Sequence, residues 1–95
     1  MNYELEFSPN FNRKLKKLLK GNPALGKRVE KTLEVLSTDP FSASLGSHKV
    51  SISSGIQYSS KVTGDLRIIW NFLDKKTVLL LITIGGHEGN RGVYR

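Results

Sequence analysis

The chain lacks cysteine altogether and has only one tryptophan, one methionine and three prolines among its 95 residues. Without cysteine it can form neither a disulfide framework nor a zinc site built from thiolates. Long apolar runs are also missing, because the longest, residues 78–82, is far too short to span a bilayer. The first residues show neither the basic nor the apolar region of a secretory signal. We therefore expect a soluble, cytoplasmic protein with no membrane contact.

Acidic residues are scarce: eight Asp and Glu stand against 15 Lys and Arg, which gives a formal net charge of +7. The excess is spread along the chain and is not held in a basic tail. A distributed positive field attracts polyanions, of which nucleic acid is the obvious one. The alternative interpretation is that the charge only keeps a small protein soluble, and composition does not decide between the two.

The first half of the chain predicts one strand and two helices. Residues 3–7 alternate apolar and acidic side chains with the period of two that is typical of a strand with one buried face. Ser8 followed by proline predicts the start of a helix, with Gly21 as its terminator. Asn22, again followed by proline, starts a second helix that ends at residues 39–40. The cationic outer face of this helical hairpin is either a nucleic-acid surface or an ordinary solvated one.

Serine and glycine dominate residues 41–55, which we expect to form a loop with one short extended piece. β-branched and aromatic residues then predict three strands, over residues 56–62, 66–73 and 77–84. Trp70 is expected in the core. This order favours an α+β fold: an N-terminal strand, a helical hairpin and a three-stranded antiparallel meander, with the helices packed on one face of the sheet. Residues 1–95 are expected to make a single domain.

The predicted strands and their flanks carry residue types that can cleave a phosphodiester without a metal. RNA carries its own nucleophile, the 2′-hydroxyl, so an enzyme need only remove that proton, stabilise the phosphorane and protonate the leaving 5′-oxygen. Arginine and lysine stabilise negative charge, and an imidazole, with an unperturbed pKa of about 6.5, exchanges protons near neutrality. The candidates are Arg67 and Lys61 for charge, His87 and His48 for proton transfer, and Tyr94 for stacking on an exposed base.

Each candidate also has an ordinary structural interpretation. Arg67 would pair with a nearby aspartate at a sheet edge, His87 would be a polar turn residue after two glycines, and His48 would belong to a solvated loop. Tyr94 would cover the end of the core. A metal site is disfavoured, because the two histidines are 39 positions apart (87 − 48) and neither has an acidic pair at helical or strand spacing. No motif for a nucleotide or another cofactor is present.

Position in the strands limits how these residues can meet. Arg67 opens the second predicted strand of the meander, whereas His87 follows the glycines that end the third. If these strands pair antiparallel, the two residues need not be neighbours. The strand that carries Lys61 and the C-terminal residues are therefore expected to help complete a shared pocket.

Several short motifs follow one another along the chain: His48-Lys49-Val50, Tyr58-x-x-Lys61-Val62, Gly64-Asp65-x-Arg67-Ile68-Ile69-Trp70, Ile84-Gly85-x-His87 and Val93-Tyr94. In this order, after a strand and a helical hairpin, they resemble the RelE/ParE superfamily of toxin–antitoxin toxins. The resemblance is closest to the RelE and YafQ mRNA interferases and covers nearly the whole chain.

The resemblance implies a toxin that enters the ribosomal A site and cuts translated mRNA without a metal or another cofactor, held inactive by a cognate antitoxin. It matches Arg67 to the arginine that contacts the scissile phosphate and Lys61 to a basic residue on the second strand of the family. His87 fills a position held by histidine or arginine, Tyr94 matches a terminal aromatic residue, and His48 resembles a loop histidine of the YafQ-like branch. The alternatives are a ParE-like inhibitor of DNA gyrase, which needs no proton-transfer group, and an inactive relative that only binds its partner.

Two features depart from the family pattern. Five residues separate His87 from Val93, more than in members where the histidine and the aromatic residue are nearly adjacent, and Arg91 is then an alternative contact. Ser59 and Ser60 stand where some relatives carry further basic residues. We therefore expect weaker charge stabilisation around Lys61.

Overall fold

We describe residues 2–74 and 78–86 of a computed structural model of the chain. Strand β1 (Glu4–Phe7) leads into the helical hairpin of α1 (Pro9–Leu19) and α2 (Pro23–Thr38). A short 3₁₀ helix (Ala43–Leu45) follows, and then come β2 (His48–Ile52), β3 (Gly55–Lys61), β4 (Leu66–Asp74) and β5 (Val78–Gly86). The predicted α+β class is confirmed.

Both helices begin where the sequence predicts. The Ser8 hydroxyl accepts a hydrogen bond from the Phe11 amide at 3.0 Å, and the Asn22 side chain accepts one from the Leu25 amide at 3.2 Å. Each cap is followed by a proline in the first helical turn, where its missing N–H removes no helical hydrogen bond. Gly21 has a φ of +70°, a left-handed conformation that glycine adopts without steric penalty. This conformation lets the chain turn from α1 into α2 within a few residues.

The five strands form one mixed sheet in the order β1-β5-β4-β3-β2. Strands β2 to β5 pair antiparallel in sequence, whereas β1 lies parallel to β5 at the far edge. The antiparallel meander therefore has four strands, one more than the sequence predicted. The additional strand is β2, which lies in the segment predicted as a loop with one short extended piece. It forms because its five residues pair along their whole length with β3.

Strand β5 runs through both of its terminal glycines, where the sequence predicted that the strand had already ended. Gly85 pairs with Arg67, and Gly86 pairs with Leu66. A Cβ added at Gly86 would lie 3.4 Å from a carboxylate oxygen of Asp65, so the missing side chain leaves room for the β3–β4 turn. The start of β4 and the end of β5 are therefore neighbours.

A bulge in β5 fixes the position of α1 on the sheet. The register between β4 and β5 shifts after Ile69, which leaves Ile82 outside the ladder. The Ile82 carbonyl instead accepts hydrogen bonds from the Ser8 hydroxyl at 2.8 Å and from the Asn10 side chain at 3.3 Å. The first turn of α1 therefore satisfies the main-chain group that the bulge leaves unpaired.

The core lies between the helices and one face of the sheet. It includes buried side chains from both helices and from β4 and β5: Phe11, Val29, Leu36, Ile68, Trp70, Leu79, Leu81 and Ile84. Trp70 is fully buried, which confirms its predicted place in the core. The opposite face of the sheet carries no helix within the described part of the chain, and it is there that the candidate site lies.

A chain of hydrogen bonds crosses the core beside Trp70. Its indole N–H donates to the Ser60 hydroxyl at 2.7 Å, and that hydroxyl lies 2.6 Å from the hydroxyl of Ser47. Ser47 donates to the Pro40 carbonyl at 2.6 Å. Because a carbonyl can only accept, the hydrogen of Ser47 is already used and Ser60 must be the donor between the two serines. The chain of bonds ties β4, β3 and the segment before β2 together.

Candidate functional site

Lys61 and Arg67 lie side by side on adjacent strands. They are direct partners in the antiparallel register of β3 and β4. Directly opposed residues share a face of the sheet, with Cβ atoms about 5 Å apart. The next pair along the ladder, Ser60 and Ile68, is fully buried on the helical side, so Lys61 and Arg67 lie on the opposite face. The structure thus brings two of the predicted site residues together.

Gly85 lies on the other side of Arg67, as its partner in β5. A glycine here leaves one flank of the arginine without a neighbouring side chain. Gly85 is also only two residues before His87 in the sequence. The expectation that Arg67 and the end of the last strand need not be neighbours was wrong, because antiparallel pairing places the start of β4 beside the end of β5.

The Arg67 side chain is half-buried and anchored. Its Nη1 donates to the main-chain oxygen of Thr63 at 2.8 Å. This bond uses one of the five N–H donors of a guanidinium and fixes the direction of its fork. The fork is therefore held at the end of the sheet where β3 turns into β4.

A second arginine holds the same turn from the helical side. Arg28 of α2 donates from Nη2 to the main-chain oxygen of Val62 at 3.2 Å. Within the turn, the Thr63 hydroxyl accepts hydrogen bonds from the amides of Asp65 at 3.3 Å and Leu66 at 3.0 Å. The turn that positions Arg67 is thus braced by a helix, by the arginine itself and by its own threonine.

His48 lies on the same face as the two cations. It pairs with Ser59 on β3, and Ser59 is two positions from Lys61. Such a diagonal places His48 and Lys61 about 7–8 Å apart, within reach of long side chains. The Nδ1 atom of His48 lies 3.0 Å from the Gly46 carbonyl, which can only accept, so Nδ1 carries the hydrogen and the neutral ring keeps its lone pair at Nε2. His48 is exposed and presents a nitrogen that can take up a proton.

His87, Tyr94 and the alternative contact Arg91 lie outside the described residues. Their predicted roles stay predictions. The described neighbour of His87 is Gly86, which lies against the carboxylate of Asp65.

Ser59 and Ser60, the two serines that precede Lys61 in β3, are fully buried. A lysine at either position would have its charge removed from water, which costs several kcal/mol unless the charge is paired. Ile69 and Thr83 continue the row that begins at Ser59 across β4 and β5. Ile69 is fully buried, and Thr83 is 7% exposed with a hydroxyl that has no hydrogen-bond partner among the described residues. At positions 59 and 60 both faces of β3 are therefore buried, which disfavours an unpaired lysine there.

Sequence reasoning missed the contributions of Arg28 and Thr63. Arg28 belonged only to a general cationic helix face, because nothing in its local spacing indicates that it meets a carbonyl 34 positions later. Thr63 was part of a predicted turn, and a threonine before Gly-Asp is a signal for a hydroxyl that accepts main-chain hydrogen bonds. That signal would have identified the brace inside the turn, although not its link to Arg67.

Within residues 2–74 and 78–86, no three His, Asp or Glu side chains are grouped so that they could hold a metal ion. Neither of the helices described here has the length and apolar character needed to cross a membrane.

No protein-family model and no curated protein matches the chain. Solved structures do match. The toxin–antitoxin complex RelBE2 from Mycobacterium tuberculosis matches with a TM-score of 0.69 and 20% identity, over 90% of this chain and 99% of that one. The DinJ-YafQ toxin–antitoxin complex from E. coli matches with a TM-score of 0.70 and 19% identity, over 92% and 94%. A YoeB/ParE toxin from Agrobacterium tumefaciens matches with a TM-score of 0.75 and 10% identity, over 90% and 99%.

These similarities extend over nearly the whole of each chain, and at 10 to 20% identity they concern the fold. The protein has the fold of the RelE/ParE toxins: two helices packed on one face of a five-stranded mixed sheet.

Proposed function

We propose that this protein is the toxin of a toxin–antitoxin pair and that it cleaves mRNA on the translating ribosome without a metal. The observation that carries the proposal is the pairing of Lys61 with Arg67 on the face of the RelE-like sheet opposite the helices. Two permanent positive charges in adjacent register positions form a site for one phosphate group.

The reaction needs charge stabilisation in the transition state. When the 2′-oxygen attacks phosphorus and the bond to the 5′-oxygen breaks, negative charge grows on the non-bridging oxygens. Arg67 offers a fork whose direction is fixed by Thr63, and Lys61 adds a mobile charge beside it. A fixed donor acts without reorganisation at the moment of reaction.

Proton transfer is assigned to the two histidines. His48 has its lone pair at Nε2 in the neutral ring, which suits removal of the 2′-hydroxyl proton. His87 follows the strand end beside Arg67 and is assigned the protonation of the departing 5′-oxygen. Tyr94 is assigned to stacking on a base of the message.

A cognate antitoxin is the proposed protein partner. Two of the similar structures are complexes of a toxin with its antitoxin, RelBE2 and DinJ-YafQ. A chain with net charge +7 would be neutralised by an acidic segment laid along its positive surface.

Mapping the 5′ ends of cellular mRNA shortly after induction tests the proposal. Wild-type protein is expected to produce new ends in phase with codons, and Arg67→Ala is expected to produce few. Arg13→Ala is the matched control, because Arg13 is an exposed arginine of α1 whose side chain bonds to Asn10 on its own helix. Intact messages with stalled replication would contradict the nuclease and would favour the ParE-like inhibition of gyrase.

A further inference from the structure

A groove of about 670 Å³ opens between α2, the 3₁₀ helix and the turn after β3. Among the described residues, the charged side chains that line it are all cations: Lys27, Arg28, Lys31 and Lys61. The acidic residues of α2, Glu30 and Glu34, are not among the lining residues. The groove is therefore a concave surface with a concentrated positive field.

The groove also has an apolar part, which includes the partly exposed Val35 of α2. Leu45 and Val62 line it, but they are only 2% and 6% exposed. Peptides that dock in grooves depend on apolar or aromatic side chains that fill pockets. Because the groove has four lining cations and no lining carboxylate among the described residues, it suits a ligand recognised through its negative charge.

The cations are spaced along the groove. Lys27 and Lys31 are one turn apart on the same side of α2, or about 6 Å along the helix axis. Arg28 is held in place by its bond to the Val62 carbonyl. This arrangement fits successive phosphates of an extended single strand better than one isolated anion.

Lys61 connects the groove to the candidate active site. It lines the groove and is also the direct partner of Arg67 across β3 and β4. Thr63, whose carbonyl anchors Arg67, lines the groove as well. An RNA strand lying on Arg67 and Lys61 would therefore reach the groove by passing around the β3–β4 turn at the end of the sheet.

We propose that the groove holds the sugar-phosphate backbone of single-stranded RNA, and that this is the strand whose scissile phosphate lies at Arg67 and Lys61. This inference rests on the proposed function and adds a second contact region to it. Lys27 and Lys31 bind phosphates that flank the cleaved one, while Arg28 keeps the turn in place.

Binding of RNA that cannot be cleaved tests the groove separately from catalysis. We would measure the affinity of 2′-O-methyl RNA by fluorescence anisotropy across a series of salt concentrations. The variant with Lys27→Gln and Lys31→Gln is expected to lower the slope of log Kd against log salt by about 1.4, since each phosphate contact on a single strand contributes about 0.7. The matched control carries Lys16→Gln and Lys20→Gln, two exposed lysines also four positions apart, and should keep the wild-type slope.

The length of the RNA shows whether one continuous RNA strand occupies both the groove and the sheet site. With a strand of roughly 12 nucleotides the groove variant should bind more weakly than the control, whereas with roughly 4 nucleotides, which the sheet site alone can hold, the two should bind equally. Equal losses at both lengths would overturn the assignment of one continuous strand.

Gly64 allows a second, independent variant. It lines the groove, its φ is not positive, and a Cβ built there meets nothing within 4 Å. Gly64→Asp therefore adds a carboxylate to the groove without a clash and should weaken RNA binding. Gly64→Asn has nearly the same shape without the charge and should bind RNA more tightly than Gly64→Asp does.

Two results would overturn the proposal. One is that the groove variant and the control variant bind the long RNA equally. The other is that the groove variant loses affinity for polyglutamate while its affinity for RNA is unchanged, which would make the groove a site for an acidic peptide. Failure of the nuclease function would be seen differently, as RNA binding that depends on the groove without any cleavage of unmodified message.

Discussion

Arg67 donates a hydrogen bond to the main-chain oxygen of Thr63 at 2.8 Å, so its guanidinium is anchored to the turn that precedes its own strand. Its cross-strand partner Lys61 is exposed at the end of β3. The two cations therefore differ in kind: one is a fixed fork of donors and the other a flexible point charge.

Arg67→Lys keeps the charge but loses the fork and the geometry of the Thr63 anchor. We expect the cleavage rate on programmed ribosomes to fall by about 10- to 100-fold for Arg67→Lys. Arg67→Ala should lower the rate further, by about 100- to 1,000-fold, because it removes a preorganised donor altogether. Single-turnover rates measure this directly. Arg13→Lys should cleave at the wild-type rate, and an unchanged rate for Arg67→Lys would show that charge alone is sufficient at position 67.

The two histidines should be separable from antitoxin binding. His87→Ala is expected to abolish cleavage, and His48→Ala to slow it by about 100-fold or more, the usual contribution of a general base. Affinity for the antitoxin should stay nearly unchanged in both variants. Cleavage by the His87→Ala variant at the wild-type rate would remove this histidine from the mechanism.

Ser60→Ala should destabilise the fold through the hydrogen bonds beside Trp70. The substitution leaves the buried indole N–H without an acceptor, at a cost of about 1–3 kcal/mol in the free energy of unfolding. Urea denaturation followed by tryptophan fluorescence measures the change. Ser53→Ala, at an exposed turn position, should stay within about 0.5 kcal/mol of wild type.

The two helix caps should differ in their contribution to stability. The Ser8 hydroxyl both caps α1 and donates to the Ile82 carbonyl, whereas the Asn22 side chain makes a single exposed bond. We expect Ser8→Ala to cost about 1–2 kcal/mol and Asn22→Ala about 0.5–1 kcal/mol. Equal losses in urea denaturation would mean that the contact between α1 and the bulge contributes nothing.

The helices and their ends could be predicted from sequence because their signals are local. Ser8 and Asn22 are each followed by proline, and Gly21 provides the left-handed turn between them. Strand β2 was harder, because its serine-rich sequence is stabilised by pairing with β3 and not by its own propensity. The extension of β5 through Gly85 and Gly86 has the same origin.

The candidate site was predictable as a set of residue types but not as an arrangement. The cross-strand pairing of Lys61 with Arg67 depends on the length of the turn between them, which the sequence indicated only approximately. The bonds of Arg28 to Val62 and of Arg67 to Thr63 depend on tertiary packing and on a side-chain rotamer, which no local pattern encodes.

A double-mutant cycle of Lys61→Gln and Arg67→Gln tests the central claim, that these two cations act on one scissile phosphate. Single-turnover cleavage of ribosome-bound message would be measured for the wild type, both single variants and the double variant. We predict that each single variant is slowed and that the two effects are coupled by about 0.5–3 kcal/mol, as expected for groups that share a ligand. Strictly additive effects, or single variants that cleave as fast as the wild type, would contradict a shared phosphate site.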